Sequence, residues 1–227
     1  MMNATRQNLL EAIDVWSIRL PDLPDEVERC RSLLSGDELE RAAAFIKPKD
    51  AESFILCRGM LRRILGDVLN ADPTTLSFQC NPNGKPYLPG GELDFNVSHS
   101  RDRLLIAVTS GRAVGVDIEF RRNNVNMNAI AERYFTPEEC AFFQGSENPK
   151  QTFFDIWAEK EAYVKAHGQG IFNLPAAFAV PSACRANVPM VGTNGEWFFQ
   201  TLEIDAAYSA AVVSEAPAVP VTLRTLA

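Results

Sequence analysis

The sequence predicts an α+β protein made of two similar α/β lobes related by a pseudo-two-fold axis. Three features recur along the chain, at separations of 101, 100 and 104 residues. They are helix-capping boxes at Ser35 and Thr136, phenylalanines Phe54 and Phe154 in two long helices, and strands that begin at Leu104 and Tyr208. A period of this length is too long for a solenoid and favours a duplicated unit. We therefore expect an N-terminal lobe over residues 1–113 and a C-terminal lobe over residues 114–227, the latter carrying the acidic site residues.

The elements of the first half follow from local patterns. A capping box at Ser35 starts a helix, and apolar residues at helical spacing predict a longer helix from about Asp50, after an interruption at Pro48. The sequence Asn81 to Pro86 has the composition of a turn. Strands are predicted at Ile13–Leu20, Leu76–Phe78, Leu93–Val97 and Leu104–Thr109.

The second half repeats this plan. Val114–Phe120 has strand character, and the box at Thr136 has proline at the first helical position. A polar break at residues 145–150 precedes a second long helix, predicted over Thr152–Ala166 and followed by Gly168 at a C-cap position. The last predicted element of this half is a strand at Tyr208–Ser214.

The amino-acid composition and net charge argue against several classes of function. The 227 residues carry a net charge of −7, which argues against non-specific nucleic-acid binding. Five cysteines without a CxxC pair and only two histidines make a zinc site unfavourable. The sequence has no signal-peptide pattern and no apolar run of membrane-spanning length. We expect a cytoplasmic protein that binds neither membrane nor nucleic acid, and a monomer, because duplication already supplies two lobes.

Two carboxylates lie on one face of the strand Val114–Phe120. Asp117 and Glu119 are two residues apart, so their side chains point the same way. Such a pair is mutually repulsive, and we expect a compensating cation. The alternative is an ordinary solvent-exposed strand edge, and the strand alone does not decide between the two.

Glu161 lies inside the apolar sector of the second long helix, whereas Asp155 and Glu159 fall on the opposite, solvated side. A buried acid needs a paired cation or a metal ion. One interpretation is an internal pair with Lys160, which shares the sector. The other is a hard-cation site made by Asp117, Glu119 and Glu161, because magnesium prefers oxygen ligands.

Phosphate-binding candidates occur in three segments. Ser98 and His99 follow a strand, and no GxSxG elbow surrounds them, which disfavours acyl-transfer catalysis. Lys85 lies in a Gly-Lys-Pro turn. Arg58 lies on the first long helix, and guanidinium groups suit bidentate phosphate contact. A solvated helix face is the competing interpretation, favoured for Arg63 and also considered for Arg62.

Four motifs in order resemble the Sfp-type 4′-phosphopantetheinyl transferases. They are Gly84-Lys85-Pro86, FNVSHS from Phe95 to Ser100, GVDIE from Gly115 to Glu119, and WAEKEAYVKAHGQG from Trp157 to Gly170. Each motif alone is weakly specific, but the four together, in this order and spacing, are highly specific. They span about residues 84–170, and the region of Phe45 and Arg58 also looks like the family's first helical segment.

The resemblance implies a fold, a reaction and a set of roles. The enzyme would move the 4′-phosphopantetheine arm of coenzyme A to a serine of an apo acyl or peptidyl carrier protein, releasing 3′,5′-ADP with Mg²⁺ as cofactor. Coenzyme A would lie between the halves of a pseudo-symmetric fold. The implied metal ligands are Asp117, Glu119 and Glu161. The implied coenzyme A and phosphate contacts are Arg58, Lys85, Ser98, His99 and Lys165, and Glu161, His99 and Lys165 would act in catalysis.

The resemblance does not assign the further basic residues of the N-terminal region that would contact phosphate. Arg41, Lys47 and Lys49 are the candidates for further basic contacts. Glu38 and Ala44 occupy places where relatives often carry positive charge.

Two other function classes fit some of the same residues. A magnesium-dependent phosphatase or nucleotidyl hydrolase could use the three acids on a different substrate. A non-catalytic module that binds coenzyme A or a carrier protein would need the phosphate contacts but not buried acids.

Overall fold

A computed structural model describes residues 11–23, 25–91, 93–168, 178–180, 190–192 and 195–225. The helices in these ranges are α1 Glu26–Leu33, α2 Gly36–Ala43, α3 Pro48–Leu69, α4 Met127–Tyr134, α5 Pro137–Gln144 and α6 Pro149–His167. The strands are β1 Ile13–Arg19, β2 Gln79–Cys80, β3 Pro86–Tyr87, β4 Asp94–Ser100, β5 Arg103–Thr109, β6 Val114–Phe120, β7 Met190–Gly192, β8 Gly195–Thr201, β9 Tyr208–Glu215 and β10 Val221–Thr225. This mixture confirms the predicted α+β class.

Both predicted capping boxes form, at the start of α2 and of α5. The two prolines predicted to lie in breaks instead begin the long helices: Pro48 is the first residue of α3 and Pro149 that of α6. Proline is tolerated there because the first N–H groups of a helix have no intrahelical partner. Gly168 ends α6 in the left-handed conformation, as predicted. No strand forms at Leu76–Phe78; the short ribbon begins at Gln79.

Two four-stranded sheets and a separate ribbon of β2 and β3 make up the β structure of the described residues. The first sheet has the order β10-β1-β5-β4 and the second β6-β9-β8-β7. Neighbouring strands are antiparallel except β10, which pairs in parallel with β1. The strand at Val221–Thr225 therefore belongs to the first sheet, although the sequence assigns these residues to the second lobe.

Apolar side chains form three cores, which stack the elements in the order helix, sheet, sheet, helix. One core lies between α3 and the first sheet, and another between α6 and the second sheet. The third joins the inner faces of the two sheets through residues of β1, β5, β6 and β9, including Val15, Leu105, Val116 and Val212. Beside this central core, β4 of the first sheet lies next to β6 of the second.

Alternate side chains of β4 join it to β6. Asn96 Oδ1 accepts a hydrogen bond from the N–H of Val116 (2.9 Å), and the Ser98 and Ser100 hydroxyls accept from the N–H groups of Ile118 (3.3 Å) and Phe120 (3.0 Å). Residues at i, i+2 and i+4 of a strand share one face, so the FNVSHS motif supplies three acceptors in line. The motif thereby satisfies backbone donors of β6 that would otherwise be buried without partners.

None of the helices in the described ranges is long and apolar enough to cross a membrane.

Candidate active site at the junction of the two sheets

Asp117 lies at the centre of the junction between β4 and β6, and only 3% of it is exposed. Its Oδ1 atom accepts from the Ser98 hydroxyl at 2.8 Å and from the Lys165 ammonium at 2.5 Å. Lys165 also lies 2.9 Å from the Ser98 hydroxyl. The predicted compensating cation is therefore Lys165, and the alternative of a solvent-exposed edge is excluded for Asp117.

The other oxygen of Asp117, Oδ2, is buried, and no hydrogen-bond partner for it is found among the described residues. Leaving a carboxylate oxygen unsatisfied in a buried place is costly. Such an atom is suited to receive a ligand.

Glu119 and Glu161 are half-buried and interact electrostatically with Asp117. Desolvation, together with the charge of Asp117, raises the pKa of Glu119 to about 7. The same two causes, in the same order, raise the pKa of Glu161 above its usual value of 4.5. Three acids from a strand and a helix thus share one neighbourhood, and two of them hold protons more tightly than free glutamate because burial and, second, the charge of Asp117 disfavour their charged forms.

Lys160 does not pair with Glu161, so that alternative interpretation is wrong. Its ammonium lies 2.8 Å from a carboxylate oxygen of Glu139 on α5 and 2.5 Å from the carbonyl oxygen of Phe178. Lys160 and Glu139 are both fully buried. The expectation that Glu159 is solvated is also wrong, since only 2% of Glu159 is exposed; a helical wheel does not reveal that α6 is enclosed on several sides.

A cavity of about 380 Å³ opens beside this junction. It contains Arg58 and His99, two of the predicted coenzyme A contacts, and also Arg41 from the set of further basic candidates. Its remaining lining is mainly apolar and aromatic: Phe45, Phe54, Cys57, Leu61, Pro86 and Val97, with Asp50 and Ser53. Desolvation and the nearby Lys165 ammonium lower the pKa of His99 below 6.5, so its ring is neutral at pH 7.

Arg58 is held in this cavity by groups that sequence reasoning missed. Its Nε atom lies 3.4 Å from Glu38 Oε1, and its guanidinium lies over the Phe54 and Phe78 rings at 5.9 and 5.1 Å. Desolvation lowers the pKa of Arg58. Glu38 was detectable as the fourth residue of a capping box, but nothing in the sequence indicates that it contacts α3.

Arg62 is buried, which corrects the assignment of this residue to a solvated helix face. Its guanidinium donates to Glu38 Oε2 at 2.7 Å and to the carbonyl oxygens of Pro73 and Leu76, both at 2.9 Å. Arg63, by contrast, is 47% exposed, as predicted.

Lys85 is not among the described residues that line the cavity with Arg58 and His99, although the adjacent Pro86 is. Its ammonium donates to the carbonyl oxygens of Val114 at 2.9 Å and Ala166 at 3.2 Å. Desolvation lowers the pKa of Lys85 to about 8. Its contact with phosphate stays a prediction.

A second, larger and more open cleft of about 790 Å³ begins where β6 ends. It contains four cations, Arg101, Arg121, Arg122 and Lys150, and no carboxylate among its described lining. The Arg101 guanidinium lies 3.6 Å from the centre of the Phe120 ring, and Lys150 donates to the Asn123 side chain. An acidic protein therefore presents a positive surface beside its acidic site.

The oxygen donors at the junction fit magnesium, although the side chains are not arranged as a complete metal site among the described residues. Within the described ranges, no three His, Cys, Asp or Glu side chains are arranged so that they could hold a metal ion. Asp117, Glu119 and Glu161 nevertheless offer only oxygen atoms, on rigid elements, with one buried oxygen unsatisfied. These are the ligands that magnesium prefers. Gln169 and Gly170, the end of the fourth motif, lie outside the described residues.

Two family models match the chain in succession. The model described as "4'-phosphopantetheinyl transferase, N-terminal" matches residues 22–111, and that of the "4'-phosphopantetheinyl transferase superfamily" matches residues 113–213. The matched ranges meet at the start of β6.

Similar proteins occur in distant organisms. The chain is 36% identical over 172 residues to the 4′-phosphopantetheinyl transferase HetI of Nostoc sp., covering 73% of each protein. It is 27% identical over 202 residues to the 4′-phosphopantetheinyl transferase Sfp of Bacillus subtilis, covering 86% of this chain and 88% of Sfp. It is also similar to the L-aminoadipate-semialdehyde dehydrogenase-phosphopantetheinyl transferase of Xenopus laevis, with 30% identity over 161 residues, which is 64% of this chain and 53% of the relative.

Proposed function

The chain belongs to the Sfp-type 4′-phosphopantetheinyl transferase family and transfers phosphopantetheine to carrier proteins, and from this premise we propose how its residues perform the reaction. The observation that carries the proposal is the cluster of Asp117, Lys165 and Ser98, with Glu119 and Glu161 beside it, next to a cavity lined by arginine and aromatic side chains. The enzyme works as a monomer in the cytoplasm.

Coenzyme A binds with its nucleotide part in the 380 Å³ cavity. Arg58 contacts the 3′-phosphate, a role supported by a guanidinium nitrogen, Nη1, that is buried without a hydrogen-bond partner among the described residues. The aromatic rings of Phe45 and Phe54, 5.6 Å apart, offer an apolar surface for the base. Ser98, His99 and Lys165 face the phosphates, and a phosphate contact by Lys85, whose ammonium is bonded to the carbonyl oxygens of Val114 and Ala166, rests on the family resemblance alone.

Asp117, Glu119 and Glu161 would hold magnesium, which supplies charge neutralisation at the diphosphate. If Lys165 moved from Asp117 toward the phosphates, Asp117 Oδ1 would keep the hydrogen bond from Ser98 and lose only the one from the ammonium. The Lys165 ammonium then stabilises the negative charge of the transition state. Neutral His99 orients a phosphate oxygen by donating one hydrogen bond.

The carrier serine hydroxyl attacks the β-phosphate of coenzyme A. A phosphorus–oxygen bond forms to the serine, the bond to the leaving group breaks, and 3′,5′-ADP departs. Glu161 accepts the serine proton. Because the magnesium ion that Glu161 would also hold favours its charged form, Glu161 is a weak base at neutral pH, and the positioning of the serine hydroxyl supplies much of the rate enhancement.

The two halves are related by a pseudo-two-fold axis. Supporting this, β1, α3 and β4 begin at Ile13, Pro48 and Asp94, and β6, α6 and β8 begin 101 residues later at Val114, Pro149 and Gly195. The strand orders β1-β5-β4 and β6-β9-β8 also correspond. The active site then forms where the two halves meet.

The carrier protein docks on the cationic cleft at the end of β6. Arg101, Arg122 and Lys150 would attract an acidic carrier and bring its serine toward Glu119 and Glu161, whereas the charge of Arg121 is partly offset by Asp155 at 3.7 Å. The absence of carboxylates from the described lining supports a negatively charged partner.

The transfer reaction is tested with the variant Glu161→Gln. Wild-type protein, coenzyme A, magnesium and an apo-carrier protein should yield a carrier heavier by one phosphopantetheine arm in a mass spectrum. Because the amide cannot accept the serine proton, Glu161→Gln should lower the rate by at least about a hundredfold. The same change at exposed Glu138, outside the site, should leave the rate unaltered. Normal turnover by Glu161→Gln would refute the assignment of Glu161.

The same assay separates the alternative activities. A phosphatase or nucleotidyl hydrolase would release nucleotide from coenzyme A without a carrier protein, whereas the transferase releases 3′,5′-ADP only when the apo-carrier is present. A pure binding module would bind coenzyme A with no magnesium-dependent product.

Docking is tested by reversing one charge of the cleft. Lys150→Glu should raise KM for the carrier protein about tenfold and leave KM for coenzyme A unchanged, because it repels an acidic partner. Arg29→Glu, an equal reversal on exposed α1, is the control. Equal KM values for the carrier in both variants would place the docking surface elsewhere.

A further inference from the structure

The turn between β2 and β3 reaches from the first half of the chain to the end of α6. The side-chain amides of Asn81 and Asn83 both donate to the carbonyl oxygen of Gly168, at 3.1 and 2.8 Å. The turn itself is fixed by the Asn81 side-chain oxygen, which accepts from the N–H groups of Asn83 and Lys85, both at 2.9 Å. The two amides are thus presented from a preformed loop.

Lys85 makes the third and fourth contacts between this turn and the second half. Its ammonium bridges Ala166 O, near the end of α6, and Val114 O, at the start of β6. One side chain therefore joins the helix that carries Glu161 and Lys165 to the strand that carries Asp117 and Glu119.

The contact stabilises both the end of α6 and the ribbon of β2 and β3. The last carbonyl groups of a helix lack intrahelical partners, and cations are favourable at that end of the helix dipole. A two-stranded ribbon is only marginally stable alone, and β2 and β3 pair through two residues each. Three of the four hydrogen bonds therefore cap the end of α6, the fourth reaches β6, and together they fix the ribbon.

The fit between β6 and α6 is tight where Lys85 joins them. A Cβ atom on Gly115 would lie 2.0 Å from the carbonyl oxygen of Ala162 and 2.3 Å from the backbone nitrogen of Ala166. The Lys85 bridge adjoins this contact through Val114 and Ala166. Lys165 precedes Ala166 directly, so a shift of the helix end moves the ammonium that contacts Asp117.

We propose that the turn Asn81–Lys85 is a clamp, and that Lys85, Asn81 and Asn83 are positioning residues that hold α6 in register with β6. The proposal rests on the transfer function proposed above. In this proposal Lys85 acts by holding together the helix and the strand that carry the acids. It does not make the direct phosphate contact that the family resemblance implies. Because misplacement of reacting groups by about 1 Å can cost a hundredfold in rate, loss of the clamp lowers kcat.

The kinetic test compares Lys85→Met, Asn83→Ala and the control Tyr87→Phe. Tyr87 lies in the same ribbon, and its hydroxyl bonds only to Gln79 among the described side chains, at 2.6 Å. Lys85→Met should lower kcat by at least about tenfold and Asn83→Ala by a smaller factor, with KM for coenzyme A within about twofold of wild type, because the reacting groups are misplaced while substrate binding stays intact. Tyr87→Phe should match wild type. A Lys85→Met variant with unchanged kcat and a KM for coenzyme A raised about tenfold would overturn the proposal in favour of direct substrate contact.

Hydrogen exchange provides a readout that does not depend on activity. In both Lys85→Met and Asn83→Ala, amides of residues 161–167 should exchange faster than in wild type, whereas those at the start of α6 should not change. Unchanged exchange at residues 161–167 in both variants overturns the clamp, whatever the kinetics. If wild-type protein fails to modify any carrier, the proposed function fails, and the exchange experiment still decides whether the turn holds the helix. Asn83→Ala removes a single hydrogen bond of an exposed side chain and so covers the case in which Lys85→Met does not fold.

Discussion

Glu38 combines two roles, of which its sequence context reveals one. The pattern Ser-x-x-Glu at Ser35 predicts a capping box, and the Glu38 carboxylate does accept from the Ser35 N–H at 3.0 Å. The same carboxylate binds Arg62 and lies near Arg58. A buried arginine needs a paired anion, but the sequence does not identify which acid supplies it, since the contact depends on how α2 packs against α3.

Lys85 gives the stability of the protein a defined pH dependence. Burial lowers its pKa to about 8, from a value of 10.5 for an unperturbed lysine. Between these values the unfolded chain holds a proton that the folded chain has lost. The free energy of unfolding therefore rises with pH across this window, as the cost of a buried ammonium is relieved.

Urea unfolding of wild type and Lys85→Met, at a pH of about 7.5 and of about 9.5, measures this effect. At the higher pH, the free energy of unfolding of wild type should increase relative to that of the variant. The contributions of other titrating groups cancel, because both proteins contain them. Lys49→Met, at an exposed position on α3, should follow wild type. A difference between wild type and Lys85→Met that does not vary with pH would contradict the lowered pKa.

At the scale of single elements, α6 carries charges on more than one buried side. Lys160 pairs with Glu139, whose carboxylate also accepts from the N–H groups of Thr136 at 2.7 Å and Val180 at 2.7 Å. The pair ties α6, the start of α5 and the segment 178–180 together. The capping box at Thr136 predicted the first of these bonds; the others join residues distant in sequence.

Lys160→Ala should destabilise the protein by about 3–5 kcal/mol, because it leaves the Glu139 carboxylate buried without its cation. The free energy of unfolding, measured in urea, tests this. Lys49→Ala on exposed α3 should change the free energy by less than about 0.5 kcal/mol. A loss for Lys160→Ala as small as that of the control would mean that water reaches the pair.

At the scale of the whole molecule, the site depends on how closely α6 approaches β6. Gly115→Ala should destabilise the fold by about 1–3 kcal/mol or more, because the new methyl group meets backbone atoms of α6 that cannot rotate away. The variant should also lose transfer activity, since α6 must move outward with Glu161 and Lys165.

Gly36→Ala is the matched control, as a Cβ atom there meets nothing within 4 Å. Thermal unfolding and the carrier-modification assay should both leave this control close to wild type. If Gly115→Ala behaved in the same way, the contact between β6 and α6 would be looser than the structure has it.

Sequence patterns predicted most elements of this fold because their causes are local. Capping boxes, helical spacing of apolar residues and the left-handed Gly168 depend on neighbours within a few residues. The need of Asp117 for a cation was also predictable, since a carboxylate on an apolar strand must be compensated. Three other features could not be predicted, because each depends on which surfaces meet in three dimensions. They are strand β10, the Lys160–Glu139 pair and the burial of Glu159.

The parallel pairing of β10 with β1 has a consequence for how the chain is made. Ile13 pairs with Val221, so the outer neighbour of the first strand leaves the ribosome only after both long helices and the whole second sheet. While translation proceeds, β1 exposes an edge whose N–H and C=O groups invite pairing with other chains. Nascent protein should therefore depend on chaperones until Thr225 has left the ribosome, and released chains truncated before Val221 should aggregate more readily than released chains that contain β10.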